Sequence, residues 1–291
     1  MVMMISHWYA SAIFALILLG TQRFLYKVSA EKQCNTAWTT CAFMGTVTVL
    51  SVIFLLIRPP VIPDVFLLLS LSLLNSVAFL TATVTHMEAL KHLPAMLVYP
   101  VIRLNMVMVV LMSLYIFNER LSPFQILGVI LAVAVMVLLT WQTDRKRSGS
   151  GSTRKGFTLV FAAFAAGTGA SLTSKFAAMH LNSLAFMAVS YAVSTVASFG
   201  LRSRLAGGAG SGDVKTALSI GFVMGVINFA GFYLMLDALS TGPLSIIISL
   251  VGMHFVIAVI LSTLIYKEKP TPIKALGVAL TVVSVILLRL Q

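Results

Sequence analysis

Acid is scarce in this chain. Eight Asp and Glu stand against twenty Lys and Arg in 291 residues. The eight are Glu31, Asp64, Glu88, Glu119, Asp144, Asp213, Asp237 and Glu268, and each falls in a predicted loop or at the end of an apolar run. Cysteine is scarcer still, with only Cys34 and Cys41. Seven helical residues apart, the two would stand about 10 Å from each other, too far for a disulfide. Both read as small packing residues. The chain has no phosphate-binding Gly loop, no nucleophile–base motif and no tight metal-ligand spacing. These absences argue against an enzyme and imply no cofactor and no metal. His86, Glu88, Lys91 and His92 cluster in what reads as one short loop, but their spacing matches no tight ligand set. Alternating ten-residue strands are also missing, which excludes a membrane barrel.

What is present is apolar sequence. The chain is 59% hydrophobic and 10% charged, with a mean hydropathy of +1.02. Runs of about 18 or more such residues read as membrane-spanning helices, because about 20 helical residues cross the bilayer core. Without water to satisfy the backbone, only helices or closed barrels can span. The fold class is therefore an all-α integral membrane protein. The net charge of +12 does not point to nucleic acid. The basic residues lie between apolar runs, above all in Asp144-Arg145-Lys146-Arg147 and Arg154-Lys155, the pattern of membrane-flanking charge.

Ten spans are predicted, near 5–25, 36–57, 64–86, 94–117, 122–141, 156–176, 183–201, 216–237, 243–265 and 271–289. The first run, Ile5 to about Phe24, has no basic n-region and no A-x-A site, so it is a span and not a cleaved signal. Two longer connections, 144–155 and 202–215, are Gly/Ser-rich and basic and read as flexible linkers. The expected organisation is a first five-helix repeat over 1–143, a basic linker over 144–155 and a second five-helix repeat over 156–291. An odd number of spans per half inverts the second half relative to the first and puts a cavity at their interface near the midplane. Fifteen Lys and Arg, from Arg23 and Lys27 through Lys274, fall on one side of this topology. Arg58, Arg120, Lys175 and Arg289 fall on the other. That bias places the first group in the cytoplasm and both termini outside.

The halves also match residue by residue. At a constant offset Pro94 meets Pro243, Ser113 meets Ser262, Glu119 meets Glu268, Pro123 meets Pro272 and Gly128-Val129 meets Gly277-Val278. The shared motif is Glu119-Arg120-Leu121-Ser122-Pro123, whose second copy is Glu268-Lys269-Pro270-Thr271-Pro272. With an apolar helix before it and a glycine-bearing helix after it, the motif resembles that of ten-helix EamA-type members of the drug/metabolite transporter (DMT) superfamily. The resemblance covers nearly the whole chain as two EamA repeats. It implies a secondary transporter with a central cavity that moves a small metabolite, often outward, across the cell (inner) membrane. Its partners would be that solute and the lipid bilayer, and the protein would act as a monomer or homodimer. The family habit of keeping both termini in the cytoplasm opposes the charge bias. Small multidrug relatives carry a membrane-embedded Glu in their first helix. The first span here, WYASAIFALILLGTQRF, has none, which disfavours a proton/cationic-drug antiporter. The rival readings are a translocase (flippase) of a lipid-linked sugar or similar amphiphile and a non-transporting membrane scaffold.

Six residues are the candidate substrate contacts. Arg103 lies about nine residues into the fourth span, where charge costs about 2.5–3.5 kcal/mol and must face the interior or a wet cavity. It is either an anchor for a carboxylate or phosphate, or a contact to backbone carbonyls near Pro100. His254 occupies the repeat position of Asn105. It reads as a substrate or protonation group, or as a neutral tie between helices. Asn75 and Asn228 line the cavity or join helices. Tyr99 is a weaker candidate, as are Gln22 and Trp38. A cavity with an arginine and no acid suits an anionic or zwitterionic solute, such as an amino acid or a related compound. Glu119 and Glu268 read as salt-bridge or capping groups. Gly221, Gly225, Gly231, Gly167 and Gly169 read as sites of close helix approach.

Overall fold

The computed structural model describes residues 7–32, 34, 36–57, 59–60, 62, 64–92, 102, 104–143, 153–200, 214–265 and 272–290. These form helices, with no strand among the described residues. In chain order the helices are α1 (His7–Glu31), α2 (Thr36–Ile57), α3 (Val65–His92), α4 (Asn105–Ile116), α5 (Pro123–Thr143) and α6 (Thr153–His180). They continue as α7 (Ser183–Gly200), α8 (Val214–Thr241), α9 (Leu244–Gly252), α10 (His254–Ile265) and α11 (Pro272–Arg289). Among the described residues seven stretches, with α9 and α10 taken together, are long and apolar enough to cross a membrane. Asn105–Ile116, Pro123–Val135 and Ala275–Arg289 are shorter apolar helices. Large apolar side chains face outward all round, among them Phe66 at 82% and Tyr115 at 84% exposure. Such a surface needs lipid as its solvent.

Helices outrun the apolar windows that announced them. α1 continues to Glu31, so Arg23 stands inside a helix and not in a flank. Nothing in RFLYKVSAE breaks a helix, and hydropathy marks where lipid ends, not where backbone hydrogen bonds do. For the same reason α3 runs to His92. His86, Glu88, Lys91 and His92 therefore lie on its last turns, not in a loop. The predicted span 243–265 is broken at Met253. There the chain tightens to a three-residue turn, with Met253 N donating to Leu250 O at 3.1 Å and Val256 N to Met253 O at 2.9 Å. Cys34 sits just ahead of α2, not on it, and both cysteines are free.

First-half helices pack chiefly on second-half helices. α1 lies on α8 and α10, α2 on α7 and α8, α3 on α6 and α7, α4 on α9, and α5 on α11. Exchanging the halves turns α1–α8 into α3–α6 and α2–α8 into α3–α7, and leaves α2–α7 and α5–α11 unchanged. Close approaches rest on glycine. A Cβ at Gly221 would stand 2.6 Å from Thr39 O, and one at Gly225 would stand 2.5 Å from Thr46 Cβ, both on α2. Gly169 differs from expectation, since nothing lies within 4 Å of the place its Cβ would take. α1 begins and α11 ends at the same end of the bundle, where Tyr9 OH donates to Val285 O at 2.6 Å.

The repeated motif is a junction at that end. Phe117 closes α4 and Asn118 turns left-handed at φ 49°, a conformation asparagine tolerates. Ser122 and Gln125 then cap α5 reciprocally: Gln125 N donates to Ser122 Oγ at 3.2 Å, and Ser122 N donates to Gln125 Oε1 at 2.9 Å. Pro123 takes the first helical position, where no N–H is needed.

Candidate functional site: a polar seam between the halves

Each half carries a Gly-Thr pair in its first helix, Gly20-Thr21 in α1 and Gly167-Thr168 in α6. Both threonines donate back one turn, Thr21 Oγ1 to Ile17 O at 2.9 Å and Thr168 Oγ1 to Phe164 O at 3.0 Å. Both glycines receive the opening residue of a helix from the opposite half. A Cβ at Gly20 would stand 2.5 Å from His254 O, and one at Gly167 would stand 2.7 Å from Asn105 Nδ2. His254 and Asn105 are equivalent repeat positions, and each follows a turn residue, Met253 and Leu104. The two contacts are therefore one contact made twice.

The chemistry around them is not duplicated. Three residues beyond Gly20 stands Arg23, and three beyond Gly167 stands Ala170. Side chains on a helix tilt toward its N-terminus, so the long Arg23 side chain reaches back to the level of Gly20 and His254. Its Nε donates to His254 Nε2 at 3.1 Å, and its guanidinium lies 5.6 Å from the Tyr26 ring centroid. His254 Nδ1 lies 2.7 Å from Val251 O, a carbonyl of the last turn of α9. A carbonyl only accepts, so Nδ1 carries the hydrogen. Nε2 then presents its lone pair to Arg23, and the imidazole is neutral. Among the described residues no carboxylate pairs with Arg23, whose side chain is exposed.

A buried amide chain runs beside this pair. Asn228 Nδ2 on α8 donates to Gln22 Oε1 on α1 at 2.9 Å, and Tyr191 OH on α7 donates to Asn228 Oδ1 at 2.6 Å. The counterpart in the other half is Asn75 on α3. Its Nδ2 lies 2.9 Å from Ala170 O and Thr173 Oγ1 and 3.0 Å from Ser174 Oγ on α6. Both asparagines thus tie a third helix of one half to the first helix of the other.

The structure joins Asn228 to Gln22, and His254 to Arg23, the next residue of α1, with Asn75 and Asn105 in the mirrored positions. Tyr99 and Arg103 lie outside the described residues, as does Glu268. Sequence reasoning assigned Arg23 to the cytoplasmic flank because an apolar window ended there. The signal available was the spacing of Gln22, Arg23 and Tyr26, which puts polar groups on adjoining faces of an unbroken helix.

Two charged groups grip the turn between α8 and α9. Lys175 on α6 donates to Leu239 O at 2.7 Å and Gly242 O at 2.8 Å, and its ammonium lies 5.7 Å from the Phe117 ring centroid. Glu119, from the other half, accepts from the backbone N–H groups of Leu244 and Ser245 and from Ser245 Oγ. A cation at one helix's carbonyl end and an anion at the next helix's amide end both match the local dipole. These are holding contacts at the end of the bundle.

No curated protein matches the chain. A solved crystal structure aligns with 97% of this chain and 96% of its own, at 17% sequence identity and a TM-score of 0.73, which is a likeness of fold. The model of the EamA-like transporter family matches twice, over residues 6–141 and 154–290. Two copies of one family unit along nearly the whole sequence, folded as apolar helices that pack half against half, leave one conclusion. The chain belongs to the EamA-like transporter family and is a multi-pass membrane transporter of the DMT superfamily.

Proposed function

We propose that the protein exports a small anionic or zwitterionic organic metabolite, of the amino-acid kind, across the inner cell membrane. The observation that carries this reading is the Arg23 guanidinium, partnered by a neutral imidazole and, among the described residues, by no carboxylate. A permanent cation facing lipid inside a span costs several kcal/mol, so its exposed surface belongs to a water-filled cavity. A planar fork of donors in such a cavity selects a carboxylate. Arg23 and His254 would anchor the charged end of the solute. Asn105, in the mirrored position, and Arg103 and Tyr99, close by in sequence, would complete the site. Asn75 and Asn228 would frame it.

In this reading the three shorter apolar helices join the seven long apolar stretches found among the described residues as ten spans in two inverted halves. The symmetric packing of the halves supports rocking about a shared midplane site, with the broken helix at Met253 supplying polar backbone to it. Outward movement is the direction the family likeness supports. The basic end of the bundle, with Lys32, Arg154, Lys155 and Lys215, faces the cytoplasm in this reading. A thermal-shift panel on the detergent-purified protein, followed by proteoliposome flux of the stabilising solute, tests it. The expected result is stabilisation by an acid or zwitterion and flux that Arg23→Gln abolishes. Stabilisation by organic cations alone would overturn it.

A further inference from the structure

We infer that Glu119 is the latch of the end of the bundle where α1 begins: its carboxylate must leave the start of α9 before the cavity opens at that end. This rests on the transport reading above and names the contact that the last step of export has to break. The observation that carries it is one carboxylate of the first half holding three donors of the second. These are the N–H groups of Leu244 and Ser245 and the Ser245 hydroxyl, on two residues that are fully buried. Neighbouring bonds at the same end also cross between the halves. Tyr9 OH donates to Val285 O at 2.6 Å, Ser11 Oγ to an Asp237 carboxylate oxygen at 2.7 Å, and Ser122 Oγ to Leu290 O at 3.0 Å. The Trp8 ring covers the turn before α9, 2.6 Å from where a Cβ on Gly242 would stand. Halves that rock apart at this end break these contacts together. Tyr9 and Ser122 make single neutral bonds. Asp237 bears a charge, but what it takes from the first half is one hydroxyl and the largely exposed His7 at 3.4 Å. At Glu119 a full charge meets three donors and the positive end of a helix dipole, so this contact costs most to release.

The latch is connected to the polar seam by α9 itself. That helix has nine residues, a length of about 13 Å. Its start is held by Glu119, and its far end is the turn at Met253. Just beyond that turn His254 O stands against Gly20, and the His254 ring meets Arg23. One short helix thus reaches from the latch to the place where the solute is proposed to bind.

Ser249 reports the opening. It lies one turn below Ser245 on the same face of α9, donates to Ser245 O at 2.7 Å and is fully buried. With Cys34 and Cys41 replaced by alanine, Ser249→Cys puts a thiol there. Val47→Cys puts the control thiol at an equally buried place on α2, which packs on α7 and α8. The full chain in detergent is treated with a polar maleimide, which reaches a buried thiol only while the structure around it is open. Glu119→Ala is expected to speed labelling of Ser249→Cys about tenfold, the population change that follows from losing charge-assisted bonds. Glu119→Gln, which keeps one acceptor oxygen, speeds it less, and it carries the test if Glu119→Ala does not fold. Neither changes labelling of Val47→Cys. An unchanged rate at Ser249 overturns the inference. An equal rise at both thiols also overturns it, because that marks general loosening. The transport reading fails separately: faster labelling at Ser249 together with no proteoliposome flux of any acid or zwitterion leaves the latch standing and removes its function. Flux of an acid with Ser249 indifferent to Glu119 does the reverse.

Discussion

Glu119 of the first half caps a helix of the second, its Oε2 accepting from Ser245 N at 3.0 Å while Oε1 takes the N–H of Leu244. The glutamate that heads the repeated motif is thus a joint between the copies. Glu119→Ala is expected to destabilise the protein by about 1–3 kcal/mol, the cost of leaving amides at a helix start without a charged acceptor. Glu119→Gln, which keeps one acceptor oxygen, should cost less. Thermal unfolding in detergent orders the two, and equal losses would contradict a capping role.

Lys175 holds the other side of the same turn. Lys175→Met keeps the apolar stem but leaves Leu239 O and Gly242 O without their donor, at an expected cost of about 1–3 kcal/mol. Because Lys175 and Glu119 grip one two-residue connection, the double variant should lose less than the sum of the single losses. Strict additivity would show that the two contacts hold independently.

Gly20 and Gly167 make the same contact with different partners, and the difference sets the expected outcome. A methyl at Gly20 meets backbone, His254 O at 2.5 Å, which cannot step aside. A methyl at Gly167 meets the end of an amide side chain, Asn105 Nδ2 at 2.7 Å, which can rotate. Gly20→Ala should therefore cost about 1–3 kcal/mol and disturb the Arg23–His254 pair, and Gly167→Ala should cost less. Comparing the unfolding midpoints of the two variants checks this, and a larger loss at Gly167 would count against it.

Tyr191→Phe removes the hydroxyl that donates to Asn228 Oδ1 and leaves a buried amide oxygen short of a partner. The expected loss is about 1 kcal/mol, in the range of interhelical hydrogen bonds inside membranes. Asn228→Leu, which removes both amide groups at once, also strands Gln22 and should cost at least as much. Urea or thermal unfolding of the two variants provides the comparison.

Orientation is open to a direct check. In a background with Cys34 and Cys41 replaced by alanine, a cysteine at Asn182, near the α1-start end, should react with an impermeant maleimide in intact cells. A cysteine at Ser150, between the basic clusters, should react only after permeabilisation. The opposite pattern would put the basic end outside, against the charge rule.

Membrane residence and duplication were legible from the linear chain because both are additive. Mean hydropathy sums over residues, and the match of Pro123 to Pro272 or Glu119 to Glu268 needs no coordinates. The bias of charge toward loops is a sum of the same kind. What the tertiary structure decided is which polar residues meet. In sequence Arg23 is the end of an apolar run. In the bundle its side chain leans back along α1 to a histidine 231 positions away, because Gly20 lets the broken helix of the other half come close enough. The break at Met253 was likewise invisible, since LVGMHFVI is apolar but for one imidazole. Its turn is set by contact with α1 and by the bond from His254 to Val251. Asn75 and Asn228 have the same composition and depth whether they face a solute or a neighbour. Only packing could assign their amides to Ala170 and Gln22, because a hydrogen bond depends on distance and direction, and neither is a property of the linear chain.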